Sequence, residues 1–220
     1  MSNFIDFPRR RLLSAILATG SLGLTGLPRI VQALTLTPRQ SSGPFYPEEL
    51  PLDDDNDLVK VAGQRGVAQG RITHLFGRVI DERGRPVEQA RVEIWQCNAY
   101  GRYHHPRDRR NVPLDPNFQG HGQFITQADG AYRFRTIKPV AYPGRAPHIH
   151  FAISGPGFEP LVTQMFVAGA PENAGDYLFN SIQDPAAQSS VLVAFEPSHT
   201  ATELQGRFDI VLAGNGQFGR

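Results

Sequence analysis

Ile72-Thr73-His74-Leu75-Phe76-Gly77-Arg78-Val79-Ile80 runs into Asp81-Glu82-Arg83-Gly84-Arg85-Pro86, and Arg91-Val92-Glu93-Ile94-Trp95-Gln96 follows. Both outer runs are rich in β-branched and aromatic residues and alternate with a period of two, which is the signature of half-buried strands. The hexapeptide between them supplies Asp, Gly and Pro, the residues of a tight turn. The same grammar repeats outward in both directions. It predicts strands over 72–80, 91–96, 131–136, 148–154, 161–167, 191–195 and 207–212, with a second tight turn at Ala128-Asp129-Gly130. Helical periodicity is scarce after residue 40, and only a short helix over 172–183 is expected. Many short strands with Gly/Pro turns give an all-β fold, a β-sandwich with long site-forming loops and little helix. No internal repeat or second domain interrupts residues 34–220, which read as one domain.

Residues 98–130 fit neither period. They are polar and rich in Pro, Gly, Asn and Arg, yet they carry Tyr100, Tyr103, Phe118 and three histidines, His104, His105 and His121. Loops longer than about 12–15 residues are usually functional or disordered, and disordered segments are poor in aromatics. The segment therefore reads as an ordered loop that builds a site. The acidic run Asp53, Asp54, Asp55 and Asp57 reads as a solvated loop.

The formal net charge of +1 and the lack of a Lys/Arg run in the body of the chain exclude a nucleic-acid footprint. Cys97 is the only cysteine, which rules out an intrachain disulfide and Cys-based zinc sites. Residues 1–33 have the parts of an export signal. Arg9-Arg10-Arg11 heads an apolar stretch over 12–27, and Val31-Gln32-Ala33 offers a small-residue cleavage site. The arginine pair resembles the twin-arginine signal, so export to the periplasm by that route is expected. Gly20, Gly23, Gly26 and Pro28 break the apolar stretch and make it a poor membrane anchor.

His148-Ile149-His150 lies in a strand pattern, so both imidazoles share one face and can reach one metal, while Ile149 points into the core. Alone, the pair reads more readily as two solvated or hydrogen-bonded histidines. Pro147 stiffens the chain before it, and Arg145 places a cation nearby. Spacing leaves the remaining ligands open. Three histidines would suit copper, zinc or iron(II), whereas tyrosinates would select iron(III). A phenol with a pKa of about 10 can lose its proton to a bound cation.

Ordered blocks then narrow the reading. Thr37-Pro38-Arg39-Gln40-Ser41-Ser42-Gly43-Pro44-Phe45-Tyr46, the strand–turn–strand of residues 77–96, and Asn98-Ala99-Tyr100-Gly101-Arg102-Tyr103 come first. Leu114-Asp115-Pro116-Asn117-Phe118, Phe134-Arg135-Thr136-Ile137-Lys138-Pro139, Tyr142-Pro143 and residues 145–151 follow in order. Together they resemble the intradiol ring-cleavage dioxygenases, in particular the protocatechuate 3,4-dioxygenase branch.

The resemblance implies one iron(III) per chain held by Tyr103, Tyr142, His148 and His150, with Tyr142 the ligand that substrate displaces. It implies a catecholic substrate and O2, cleavage between the two hydroxyls, and a cis,cis-muconate-type product. Arg145 and Gln164 match positions beside the reacting ring, and Tyr46 matches a pocket position. Tyr100 and Tyr132 are expected to be packing residues, and His104, His105 and His121 loop residues. The connection from Tyr142 to Arg145, only Pro143-Gly144, is shorter than in typical protocatechuate enzymes, which leaves the catechol open. A homo-oligomer is left open as well. Two rivals remain. Gly77-x-Val79-x-Asp81-x-x-Gly84-x-Pro86-Val87-x-x-Ala90-x-Val92 also resembles non-catalytic carboxypeptidase-regulatory-like modules, and a three-histidine copper or iron(II) enzyme uses similar donors. For Arg145 the alternative is a salt bridge that only braces the strand.

Overall fold

The structure is a computed structural model and describes residues 34–51, 53–200 and 202–214. The expected export signal lies outside the described residues. Among them, ten strands form two sheets, as the all-β reading requires. They are β1 (Ile72–Asp81), β2 (Arg91–Trp95), β3 (His121–Ile125), β4 (Ala131–Ile137), β5 (His148–Ser154), β6 (Leu161–Val167), β7 (Leu192–Val193), β8 (Glu196–Pro197), β9 (Leu204–Arg207) and β10 (Ile210–Leu212).

One sheet is built on β1. It pairs antiparallel with β4 on one side and parallel with β9 and then β10 on the other, and β8 flanks β9. The second sheet runs β3-β2-β5-β6-β7. Between the sheets lie Leu75, Val79 and Phe134 from the first and Val92, Ile94, Ile149, Phe151 and Met165 from the second. Phe151 meets Phe208 at 5.0 Å between ring centroids.

The two sheets differ in how they are covered. In β1 buried and open positions alternate, so its outer face is wet. In β2 and β5 buried residues run consecutively. Such runs mean that both faces are covered. One face of this second sheet packs on the core, and loops cover the other. That covered face carries the row Trp95, His150 and Gln164, which the register sets side by side across β2, β5 and β6.

Four expectations change. The loop over 98–130 contains β3, whose His121-Gly122-Gln123-Phe124-Ile125 has no strand-like alternation and is held by its ladder to β2. The strand expected over 207–212 is two strands, because the chain bulges at Phe208-Asp209. There the Phe208 amide donates to the Phe76 carbonyl, and Asp209 Oδ1 accepts the Arg78 N–H. Gly77 faces this bulge: a Cβ there would fall on the Phe208 carbonyl oxygen, which the Tyr132 hydroxyl also contacts. The helix expected over 172–183 is a 3-10 turn, Pro171–Gly175, and a short helix α1, Tyr177–Asn180, separated by extended Asp176 (φ −78°, ψ 114°). A further helix, α2 (Pro185–Ser190), follows. Finally, the acidic run is not merely solvated. Asp54 Oδ1 lies 2.9 Å from His121 Nδ1, and Asp57 pairs with Arg135 at 3.1 Å.

Candidate metal centre and catechol site

Tyr103 reaches the covered face of the second sheet because Asn98 ties the preceding turn. Its Oδ1 accepts the Tyr100 and Arg102 amides at 2.9 and 3.0 Å, and its Nδ2 donates to the Pro113 carbonyl. Gly101 turns with φ +77° where a side chain would press on Tyr142. Asp108 then accepts the Tyr103 amide at 2.8 Å and grips Arg110 through Arg110 Nε. The Arg110 guanidinium lies over the Tyr142 ring, 4.6 Å from its centroid. Tyr142 itself sits at the start of a tight turn in which the Arg145 N–H donates to the Tyr142 carbonyl at 2.9 Å.

These elements bring four predicted residues together. His148 Nε2 lies 3.2 Å from His150 Nε2 and 3.4 Å from the Tyr103 hydroxyl. The Tyr142 hydroxyl hydrogen-bonds to the Tyr103 hydroxyl and accepts from the Arg145 guanidinium. His148 Nδ1 is 2.6 Å from the Ala146 carbonyl. That acceptor assigns the proton to Nδ1 and turns a lone pair on Nε2 toward the other donors. His150 is held differently. Its Nδ1 is buried without a hydrogen-bond partner, and its ring is stacked on Trp95 at 4.8 Å and 6°.

Burial sets the protonation of all four. It lowers the His148 imidazole to about 4, with Arg145 adding to the effect. It lowers that of His150 well below the usual range, helped by His148 and then Arg145. Both are therefore neutral, the form that binds metals. Burial also pushes both phenols up, that of Tyr103 strongly. For Tyr142 the Arg145 cation works against burial. Two neutral imidazoles and two phenols facing one point form a donor set that a highly charged cation completes, because its charge turns phenols into phenolates. The residues present thus fit iron(III). Among the described residues no group of three His, Cys, Asp or Glu side chains can hold a metal ion. A three-histidine centre would lack its third ligand: His121 is turned toward Asp54 and Glu93, and His105 lies 3.7 Å from Glu48. His121 is also buried in β3 rather than free in a loop.

Arg145 and Gln164 are joined. Arg145 Nη2 donates to Gln164 Oε1 at 2.5 Å, and Gln164 Nε2 donates to the Ser41 carbonyl at 3.0 Å. Arg145 Nε donates to Asp176 Oδ2 at 2.9 Å. Asp176, which the sequence reading passed over, also accepts amides from Ala146, Leu178 and Phe179. Its burial opposes the charge, but these amides and Arg145 outweigh it and hold the carboxyl below its usual range. Nothing in the sequence marked it, because the helix expected over 172–183 put Asp176 in its interior rather than at its cap.

Tyr46 is not among the converging donors. Its ring packs edge-on against Trp95, and its hydroxyl donates to Glu93 Oε1 at 3.0 Å. Burial and that carboxylate push the phenol up to about 12. Beside Trp95 and Tyr103 opens a cavity of about 960 Å³, bounded also by Phe45, His105, Arg102 and Leu114.

A dioxygenase family model matches residues 41–214. The protocatechuate 3,4-dioxygenase beta chain of Burkholderia cepacia is 42% identical over 186 residues, covering 80% of this chain and 79% of that one. A hydroxyquinol 1,2-dioxygenase of Corynebacterium glutamicum is 32% identical over 202 residues, and this chain spans 62% of its length. Among solved structures, the dioxygenase domain of a dioxygenase–carbohydrate-binding fusion from Streptomyces sp. SirexAA-E superposes with a TM-score of 0.64 at 29% identity, covering 82% of this chain and 99% of that one. A family match over most of the described residues, and a relative this similar over most of both lengths, make the chain a member of the intradiol ring-cleavage dioxygenases.

Proposed function

We propose that this dioxygenase binds one iron(III) through Tyr103, Tyr142, His148 and His150 and cleaves catechol-type rings between their two hydroxyls, using O2. The observation that carries the reading is that His150 Nε2 and the Tyr103 hydroxyl both lie within 3.4 Å of His148 Nε2, with the Tyr142 hydroxyl hydrogen-bonded to Tyr103. When bound, iron(III) would favour the doubly deprotonated catechol and activate its ring toward O2.

The protein supplies the rest. Tyr103, His148 and His150 are buried, which suits permanent ligands. Tyr142 is partly open and touches Arg145, so its hydroxyl oxygen can leave and accept a substrate proton. Arg145 has a fixed guanidinium facing the same space and would stabilise negative charge developing on the ring. Gln164 holds that guanidinium through its Oε1, and buried Trp95 would help to keep water out.

The substrate so proposed is a catechol, and the short Tyr142–Arg145 turn, exposed at Pro143 and Gly144, builds no wall against its other substituents. A side chain at Gly144 would meet nothing within 4 Å. This favours tolerance among protocatechuate, catechol and hydroxyquinol. Oxygen uptake with each, followed by product identification, tests the reading. A cis,cis-muconate-type product from at least one is expected, whereas an extradiol semialdehyde would overturn it. We also propose export through the twin-arginine signal of residues 1–33, supported by Arg9-Arg10 and the apolar stretch behind it.

A further inference from the structure

Asp176 stands where the substrate side and the metal side of the site meet. Its Oδ2 accepts the Arg145 Nε–H at 2.9 Å and the Ala146 N–H at 2.8 Å. The carbonyl of that same Ala146 accepts the His148 Nδ1–H at 2.6 Å. Its Oδ1 accepts the Leu178 and Phe179 amides, both at 3.0 Å, and so caps α1. The carboxylate is 1% exposed, and the Arg145 side chain that it holds is largely buried. We infer that Asp176 is a positioning residue: one carboxylate fixes both the guanidinium that faces the ring and, through the Ala146 peptide, the lone pair that His148 turns toward the metal. This rests on the iron(III) reading of the site.

The geometry separates this role from plain helix capping. A cap needs only one oxygen toward the helix, and Asp184 provides that for α2, accepting the Ala186 amide at 2.9 Å. Asp176 uses its second oxygen entirely on the site. An Asn at 176 keeps one acceptor oxygen, and the helix amides hold it. Its NH2 would then face the Arg145 Nε–H and the Ala146 N–H, donor against donor. Arg145 would swing away from Gln164, and the Ala146 peptide would lose the anchor that aims its carbonyl at His148. Partners that orient ligands in this way typically carry about 10–100-fold in metal affinity or activity.

The experiment compares iron-loaded parent, Asp176→Asn and Asp184→Asn for loss of iron to a chelator, for the visible absorption band and for kcat with a catechol. Asp176→Asn is expected to release iron about 10–100-fold faster, to shift the band and to lower kcat by a similar factor. Asp184→Asn, which alters a cap of the same kind, is expected to match the parent in all three. If Asp176→Asn misfolds, Asp176→Ser serves, since its hydroxyl can cap α1 but cannot reach Arg145; the same losses are expected. Should the soluble variant keep the parent's iron retention, band and kcat, with only a lower melting temperature, Asp176 is a helix cap and the inference is wrong. A parent that takes up no iron overturns the iron reading itself, and the inference falls with it.

Discussion

Replacing Arg145 by Leu would remove a cation aimed at the ring and strand the Asp176 carboxylate at the same time. The salt bridge expected as a rival explanation exists, but it is buried, so the exposed-pair value of about 0–1 kcal/mol does not apply. Leaving the buried Asp176 carboxylate without its partner should cost about 3–5 kcal/mol of stability, while kcat falls about 10²–10³-fold. A thermal melt alone therefore cannot separate bracing from catalysis. Arg145→Lys can, because it keeps the positive charge but loses the two-pronged grip on Asp176 and Gln164. If charge alone matters, Lys should restore most of kcat in an oxygen-uptake assay; if orientation matters, it should stay near Leu. The ligands divide in the same way. His148→Ala removes a buried donor, so metal content should fall in elemental analysis. Tyr142→Phe should retain metal and slow substrate binding. Normal metal and normal turnover in both would refute the ligand assignment.

Among the elements, β1 depends on a residue with no side chain. Gly77→Ala would drive a methyl into the Phe208 carbonyl and part the bulge from β1, a backbone clash worth at least about 3 kcal/mol in a denaturant melt. The turn after β1 gives an acid-stability signature. Burial alone would raise the Asp81 carboxyl, but the Arg83 and Arg85 amides and the Arg85 guanidinium outweigh it and hold it below its usual range. A depressed carboxyl stabilises the fold above its unfolded value of about 3.9, and that contribution is lost as pH falls through the lower folded value. Asp81→Asn should lower the melting temperature near neutrality and narrow its gap to the parent as pH approaches 3; a gap independent of pH would contradict this. Strands with plain alternation or long apolar runs, such as β1, β5 and β6, were legible in sequence. β3 was not, since its Gly122 and Gln123 carry no strand preference and only the ladder to β2 holds it. The break between β9 and β10 was hidden because a bulge is decided by the partner strand.

At the scale of the whole molecule, the site was legible where chain order and chemistry coincide. His148 and His150 are two apart on one strand, and ordered family blocks pointed to Tyr103 and Tyr142. Trp95 as the stacking partner of His150, and Asp176 as the anchor of Arg145, were illegible because each acts across elements far apart in the chain. Residues 1–33 make an independent prediction. Arg9→Lys with Arg10→Lys should hold active enzyme in the cytoplasm, measured by fractionating activity; unchanged export would exclude the twin-arginine route. The central claim is that the buried tyrosine–histidine cluster holds iron(III). Metal analysis with visible absorption on the purified protein tests it most directly. A coloured protein with about one iron per chain is expected, its band arising from tyrosinate-to-iron charge transfer, weakened and shifted in Tyr103→Phe and lost only when Tyr142 is replaced as well. A colourless protein that gains neither colour nor ring cleavage on loading with iron would contradict it.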